Sequence, residues 1–377
     1  MTHQLSFVTK ALFASLLLCT PVFAQEPGGQ FKLWDKDQDG KLTRDELPEF
    51  LRPLFDQIDT NKDGSISPEE NQQFIRRRNQ NQPLRGPRIP DTIKAELDIP
   101  YAATDNPRQR LDLFLPKSPK SDKPLPVVAF IHGGGWKGGD KRAVFGAVIP
   151  LVESGEYAGV SIGYRLTGEA IWPAQIYDCK AAVRWLRANA KKYNFDPDRI
   201  GVTGGSAGGH LVAMLGTSGG ISALEGNLGE NTGISSNVAC VVDQFGPADL
   251  LTMGERYNRA ESPVGKLIGG PVPENKDKAR DASPTTFVSS DDPPFLMIHG
   301  TNDQVVPFSQ SEELLAALRK AGVEAVLIPV EGGGHGNFGT PETSERMRLF
   351  FDKHLLGKEV SISPQPITAG PPTRPKG

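Results

Sequence analysis

Four short segments in fixed order carry groups suited to acyl transfer: His132-Gly133-Gly134-Gly135-Trp136, Gly204-Gly205-Ser206-Ala207-Gly208, Gly300-Thr301-Asn302-Asp303 and Gly332-Gly333-Gly334-His335. The second fits G-x-S-x-G, where glycines permit a sharp strand-to-helix turn that exposes the serine oxygen. Ser206 is therefore the candidate nucleophile. His335 is the candidate base, taking the serine proton and returning it to the leaving alcohol. Asp303 is the candidate acid, which fixes the imidazole tautomer and stabilises its positive charge. The oxyanion of a tetrahedral intermediate needs N–H donors aimed in advance, and glycine runs let bare backbone approach it. Gly134, Gly135 and Ala207 are the candidates. His132, His210 and His299 compete for the role of base, but each adjoins a glycine turn or opens the elbow helix, whereas His335 has the expected place in the order serine, acid, histidine. A phosphate-cradling reading of residues 132–139 fails because no Gly-Lys-Ser or Gly-Lys-Thr follows.

Such groups need rigid elements behind them. Residues 127–131 form an apolar run that ends in the first glycine segment, as a buried strand feeding a loop should. Residues 200–202, 238–245 and 295–298 read the same way. Between them, residues 174–192 place Ile176, Cys179, Val183 and Leu186 at helical spacing, and residues 309–321 form a second helical stretch. Alternating strands and helices predict an α/β class: a mostly parallel central sheet covered on both faces. Trp136 and Tyr164 read as packing aromatics. Residues 250–281, rich in charges, glycines and prolines, predict a small cap beside the pocket in place of a long apolar lid.

The front of the chain carries different chemistry. Residues 35–46 and 59–70 fit the twelve-residue calcium loop position by position. Asp35, Asp37 and Asp39 in the first loop, and Asp59, Asn61 and Asp63 in the second, offer hard oxygens. Gly40 and Gly64 permit the sharp turn, after which the carbonyls of Lys41 and Ser65 point inward. Thr43 and Ser67 hold position nine, and Glu46 and Glu70 close each site with two oxygens. Leu42 and Ile66 sit where paired hands make a short strand contact. The tight spacing, with Pro48 and Pro53 in the connection, predicts one short shared helix, a small all-α pair and structural Ca²⁺ in place of a switch.

Composition fits a folded, loop-rich protein: 37% hydrophobic, with 41 Gly and 32 Pro. The balance of 42 basic against 45 acidic side chains points to neither nucleic acid nor an anionic membrane as partner. Residues 1–24 read as a secretory signal, with Lys10, an apolar run over 11–19 and Val22-Phe23-Ala24 as cleavage site. The run is too short to span a bilayer, so no stable membrane insertion of the mature chain is expected, and export to periplasm or medium is. Cys19 leaves with the signal. Cys179 and Cys240 fit a disulfide or two buried free thiols equally well. The arginine run 76–78 with the prolines after it reads as a linker, and the tail as disordered.

Residues 97–356 resemble the bacterial carboxylesterase branch of the α/β-hydrolases that includes feruloyl- and acetyl-xylan-esterase-like enzymes, near the hormone-sensitive-lipase group. Carrying segments are 111–116, 132–141, 173–186, 204–211, 282–284 and 293–307. Gly205 departs from the hormone-sensitive-lipase form, which has aspartate there, and Asp178 matches a structural acid. The resemblance implies a serine esterase for short acyl esters, with acetyl or feruloyl groups on polysaccharide as substrate class and no cofactor in catalysis. Two other readings stand beside it: a prolyl-oligopeptidase-like serine peptidase, and a calcium-stabilised binding protein without activity. The expected organisation is a signal peptide (1–24), an EF-hand pair (25–75), a linker (76–95), the catalytic domain (96–357) and a disordered Pro-rich tail (358–377). Oligomeric state is open.

Overall fold

In the computed structural model, which describes residues 31, 34–47, 55–81, 89–336 and 338–370, the chain divides into two units between Arg88 and Ile89. The signal sequence with Cys19, the connection 48–54, residues 82–88 of the linker and residues 371–377 of the tail lie outside the described residues.

The first unit is held by its two acidic loops. Leu42 and Ile66 exchange N–H···O bonds of 2.9 and 2.8 Å as an antiparallel bridge, which couples one loop to the other. Both side chains bury among Phe31, Leu47, Phe55 and Ile58. Helices Phe55–Ile58 and Pro68–Asn81 flank the second loop. Pro68-Glu69-Glu70 opens the longer helix well: proline tolerates the first turn and two carboxylates face its positive end. This helix continues through Arg76, Arg77 and Arg78, so the expected linker start at 76 gives way to helix up to Asn81.

The second unit is a nine-stranded sheet in the order β1-β2-β4-β3-β5-β6-β7-β8-β9. Its strands are β1 (Ile93–Pro100), β2 (Arg110–Pro116), β3 (Leu125–Ile131), β4 (Ala158–Ile162), β5 (Phe195–Gly205), β6 (Cys240–Gln244), β7 (Phe295–Gly300), β8 (Ala325–Glu331) and β9 (Ile367–Thr368). From β4 across to β9 neighbouring strands run parallel; β1 and β2 pair antiparallel at one edge. Alternation along β3 shows why the run is apolar throughout. Leu125, Val127, Ala129 and Ile131 enter one buried cluster, and Val128 and Phe130 enter the other, on the opposite face. Helices Ala174–Ala188, Ala207–Thr217 and Ser309–Lys320 contribute to the first cluster; Phe145–Glu153 and Glu342–Leu356 contribute to the second.

Two expectations need correction. Strand β1 opens at Ile93, inside the expected linker, because Ile93 is buried against the second cluster. Residues 358–370 are not a disordered tail: Ile367 is 1% exposed, β9 pairs with Val330 and Glu331 of β8, and the Gly370 amide donates to Phe338 O at 2.9 Å. Cys179 and Cys240 are free thiols in clusters on opposite sheet faces, which separates them.

Candidate active site

Strand β5 ends at Gly205 and a helix starts at Ala207, leaving Ser206 alone at the turn with φ 57° and ψ −122°. Non-glycine residues rarely hold positive φ, and this one is locked from both sides. Its N–H donates to Gln244 O at 2.9 Å, and its carbonyl accepts from His210 N at 2.9 Å, the first bond of the helix. Crowding behind the turn explains the glycines: a Cβ on Gly208 would lie 2.2 Å from Ile131 O. The strain aims the Ser206 hydroxyl outward at the carboxyl end of the sheet, as a nucleophile elbow requires.

His335 faces that hydroxyl across a loop between β8 and helix Glu342–Leu356. Its Nε2 lies 2.9 Å from Ser206 Oγ, and its Nδ1 lies 2.7 Å from Asp303 Oδ2. Asp303 follows β7, and its other oxygen accepts from the amides of Val305 at 2.7 Å and Val306 at 2.9 Å. Gly332 N donates to Thr301 Oγ1 and Asn302 N donates to Gly333 O, so the acid loop and the histidine loop are tied together. Burial alone would raise the Asp303 carboxyl. Hydrogen bonds from His299 and His335, the charge of His335 and the Val305 amide outweigh it and hold Asp303 well below the usual carboxylate range, so it is ionised.

The other histidines are committed elsewhere. His210 is buried, with Nε2 2.6 Å from Ala282 O and Nδ1 accepting from Trp136 Nε1 at 3.2 Å. Burial pushes it down to about 4, so it is neutral at pH 7. His132 stacks on Tyr164 with centroids 4.3 Å apart, and burial pushes it down to about 4 despite the Gly133 carbonyl beside it. His299 holds Ser311 Oγ at 2.7 Å on Nδ1; its Nε2 lies 3.0 Å from Val306 O and 3.2 Å from Asp303 Oδ2. It thus supports the acid, a role that its place four residues before Asp303 could have suggested. Asp178 is buried, pairs with Arg165 and accepts from Gln109, as a structural acid does.

The glycine segment after β3 lies against the elbow: a Cβ on Gly133 would meet Gly205 O at 2.8 Å and Ser206 Cβ at 3.5 Å. Among the described residues the N–H groups of Gly134, Gly135 and Ala207 donate to no protein acceptor. Ala207 is the first residue of the elbow helix, where an N–H has no partner within the helix and the dipole favours negative charge. Residues 250–281 fold as short turns and helices, not as a long lid. Pro263 lies 3.5 Å from where a Gly135 Cβ would be, and Arg256 donates to Val305 O in the acid loop. The expected cap therefore packs on both loops that border the serine.

The calcium-loop residues also converge. Carboxylate oxygens of Asp35, Asp37 and Asp39 lie within 4.8 Å of one another. Gly40 and Gly64 take φ of 82° and 86°, the turn the loop demands. Glu46 accepts from the amides of Lys36 and Thr43, and Glu70 from those of Thr60, Asn61 and Ser67, so each reaches back across its loop. The Thr43 amide and hydroxyl push Glu46 down to about 2, and the Ser67 amide, against some burial, helps to push Glu70 down to about 2. Ionised hard oxygens around a glycine turn suit Ca²⁺.

The BD-FAE family profile matches residues 111–318, and the EF hand profile matches residues 29–51 and 51–75. Esterase LipC of Mycobacterium tuberculosis is 33% identical over 235 residues, 62% of this chain and 58% of its own. The chain thus spans little more than half the length of such curated relatives. A truncated carbohydrate esterase from gut microbiota is 38% identical, with a TM-score of 0.66 over 71% of this chain and 98% of its own. A bifunctional GH43-CE protein of Bacteroides eggerthii is 39% identical, with a TM-score of 0.64 over 69% of this chain and 35% of its own.

Proposed function

The chain belongs to the BD-FAE family of α/β-hydrolases, and on that premise we propose that it is an exported serine carboxylesterase for short acyl esters, with acetyl or feruloyl esters of polysaccharide as its substrate class. The observation that carries the reading is the pair of bonds on one imidazole, 2.9 Å to Ser206 Oγ and 2.7 Å to Asp303 Oδ2. Ser206 Oγ attacks the ester carbonyl as His335 Nε2 takes its proton. Asp303 keeps Nδ1 protonated and offsets the imidazolium charge. The free N–H groups of Gly134, Gly135 and Ala207 receive the oxyanion; each such donor contributes about 3 kcal/mol to transition-state stability. Collapse expels the alcohol, which leaves with the proton from His335. Water then attacks the acyl-serine, His335 takes its proton, and the acid departs as Ser206 Oγ regains a proton.

These groups come entirely from the chain, so no step draws on a metal or cofactor. The polysaccharide assignment is supported by the two carbohydrate-esterase relatives. Export is supported by the signal pattern of residues 1–24, and no helix among the described residues is long and apolar enough to cross a membrane. In the first unit, Asp35, Asp37, Asp39 and Glu46, with the Lys41 carbonyl and Thr43, would hold one calcium; Asp59, Asn61, Asp63 and Glu70, with the Ser65 carbonyl and Ser67, would hold a second. Their part is to stiffen that unit.

The test is hydrolysis of p-nitrophenyl acetate and butyrate by the protein from residue 25 and by Ser206→Ala, each with calcium and with chelator. Loss of about 10⁴-fold or more in kcat is expected for the variant. Chelation should lower the melting temperature of the calcium unit and leave kcat within about twofold. Equal rates for the two proteins would sink the esterase assignment, and an unchanged melting profile in chelator would sink structural calcium.

A further inference from the structure

We propose that Phe245 is a positioning residue whose phenyl ring holds the His335 imidazole in line between Asp303 and Ser206. The inference rests on the triad reading above. Phe245 follows β6 immediately and has φ 46°, a backbone conformation that bulky side chains seldom adopt. Its N–H donates to Ile298 O at 3.0 Å, so the end of β7 holds the strained turn in place. The strain delivers the ring to one spot. Its centroid lies 4.9 Å from that of His335 with the planes at 67°, 6.4 Å from His299 and 5.7 Å from Phe338.

Two glycines make room for it. A Cβ on Gly205 would lie 3.0 Å from Phe245 Cζ, and a Cβ on Gly336 would lie 3.0 Å from the same atom. One glycine precedes the nucleophile and the other follows the base, so the ring is wedged between the two chain segments whose spacing sets the Oγ–Nε2 distance. This also accounts for Gly205 where the hormone-sensitive-lipase form has aspartate. Phe245 also lines an open cleft of about 400 Å³ with Gln244, Phe338, Thr340 and Thr343. On the imidazole itself the phenyl packs edge-on, at 4.9 Å between centroids. Without it His335 gains room to rotate off its two partners, and misplacement of about 1 Å costs up to about 10²-fold in rate.

A double-mutant cycle on p-nitrophenyl acetate separates this role from a structural one. Phe245→Ala is expected to lower kcat about 10- to 100-fold with KM within about threefold. In a His335→Ala background the same change should cost less than about twofold, because no imidazole remains to position. Phe245→Leu, which keeps more bulk and guards against misfolding, should recover part of kcat, and circular dichroism checks its fold. Equal losses in both backgrounds, a loss confined to KM, or an unchanged kcat would overturn the inference. The His335→Ala arm alone tests the parent reading: a loss well below about 10³-fold would refute His335 as base and the role of Phe245 with it.

Discussion

Replacing Asp303 by asparagine alters one atom and exposes the logic of the site. The carboxylate faces four donors: Val305 N and Val306 N on Oδ1, and His335 Nδ1 and His299 Nε2 on Oδ2, the last at 3.2 Å. An amide has one oxygen and must turn its NH₂ toward one of these pairs. The backbone amides cannot change, whereas an imidazole can move its proton to the other nitrogen. The oxygen of the substituted side chain should therefore face Val305 and Val306, and its NH₂ should donate to His335 Nδ1. That leaves His335 with its proton on Nε2, pointing at Ser206, where it can no longer accept one. A wrong tautomer of this kind costs about 10⁴ in kcat, or about 5.4 kcal/mol of transition-state stabilisation. His299 faces the same NH₂ but keeps its Nε2 proton for Val306 O at 3.0 Å, an acceptor that the other tautomer would leave against a lone pair. The assay is kcat and KM on p-nitrophenyl acetate for Asp303→Asn and Asp303→Glu, with urea denaturation as the stability control. A kcat within tenfold of the parent for the folded Asp303→Asn variant would refute Asp303 as the tautomer-fixing acid.

Two further expectations concern stability. Burial holds His210 at about 4 when folded, against about 6.5 unfolded, so the unfolded chain takes the proton first and stability falls as pH drops through that window. The contribution lost by pH 4.5 is about 2–3 kcal/mol. His210→Gln can still accept from Trp136 and donate to Ala282 O without titrating, so urea denaturation at pH 7 and pH 4.5 should show a smaller acid loss; an identical loss would contradict the assignment. At the sheet edge, a Cβ on Gly370 would lie 2.1 Å from Gly339 O. Gly370→Ala should displace β9, expose Ile367 and cost about 2 kcal/mol, a fall of about 4–8 °C in melting temperature by calorimetry; an unchanged transition would mean that this strand adds nothing to stability.

Much of the candidate site was legible because its demands are local. A serine at positive φ needs small neighbours, and an N–H that must approach an oxyanion needs no side chain beside it. The glycines around residues 134 and 206 therefore mark positions as well as sequence. The calcium loops are legible for the same reason, since ligand types and the turn glycine recur at fixed steps. Parallel strands β3 and β7 announced themselves through apolar runs, because both faces are covered. The edge elements did not. Behind buried Ile93, strand β1 mixes exposed and part-buried residues without regular alternation, and β9 is two residues in a proline-rich stretch, so neither has a period to read.

Phe245 shows a different limit. Nothing within 238–248 marks it, because the segment reads as a strand ending at a glycine and a proline. Its place depends on the end of β6, the elbow glycine 205 and the glycine 336 loop meeting at one ring, and these are joined only in three dimensions. The same holds for His299, whose support of Asp303 requires Val306 and Ser311 to close around it. Residues that perform bond chemistry need particular side chains and leave motifs. Residues that hold them need only shape at one point, which many side chains could supply from several places in the chain. In this site the sequence thus points to Ser206, His335 and Asp303, and the fold alone shows what keeps Ser206 Oγ, His335 Nε2 and Asp303 Oδ2 in one line.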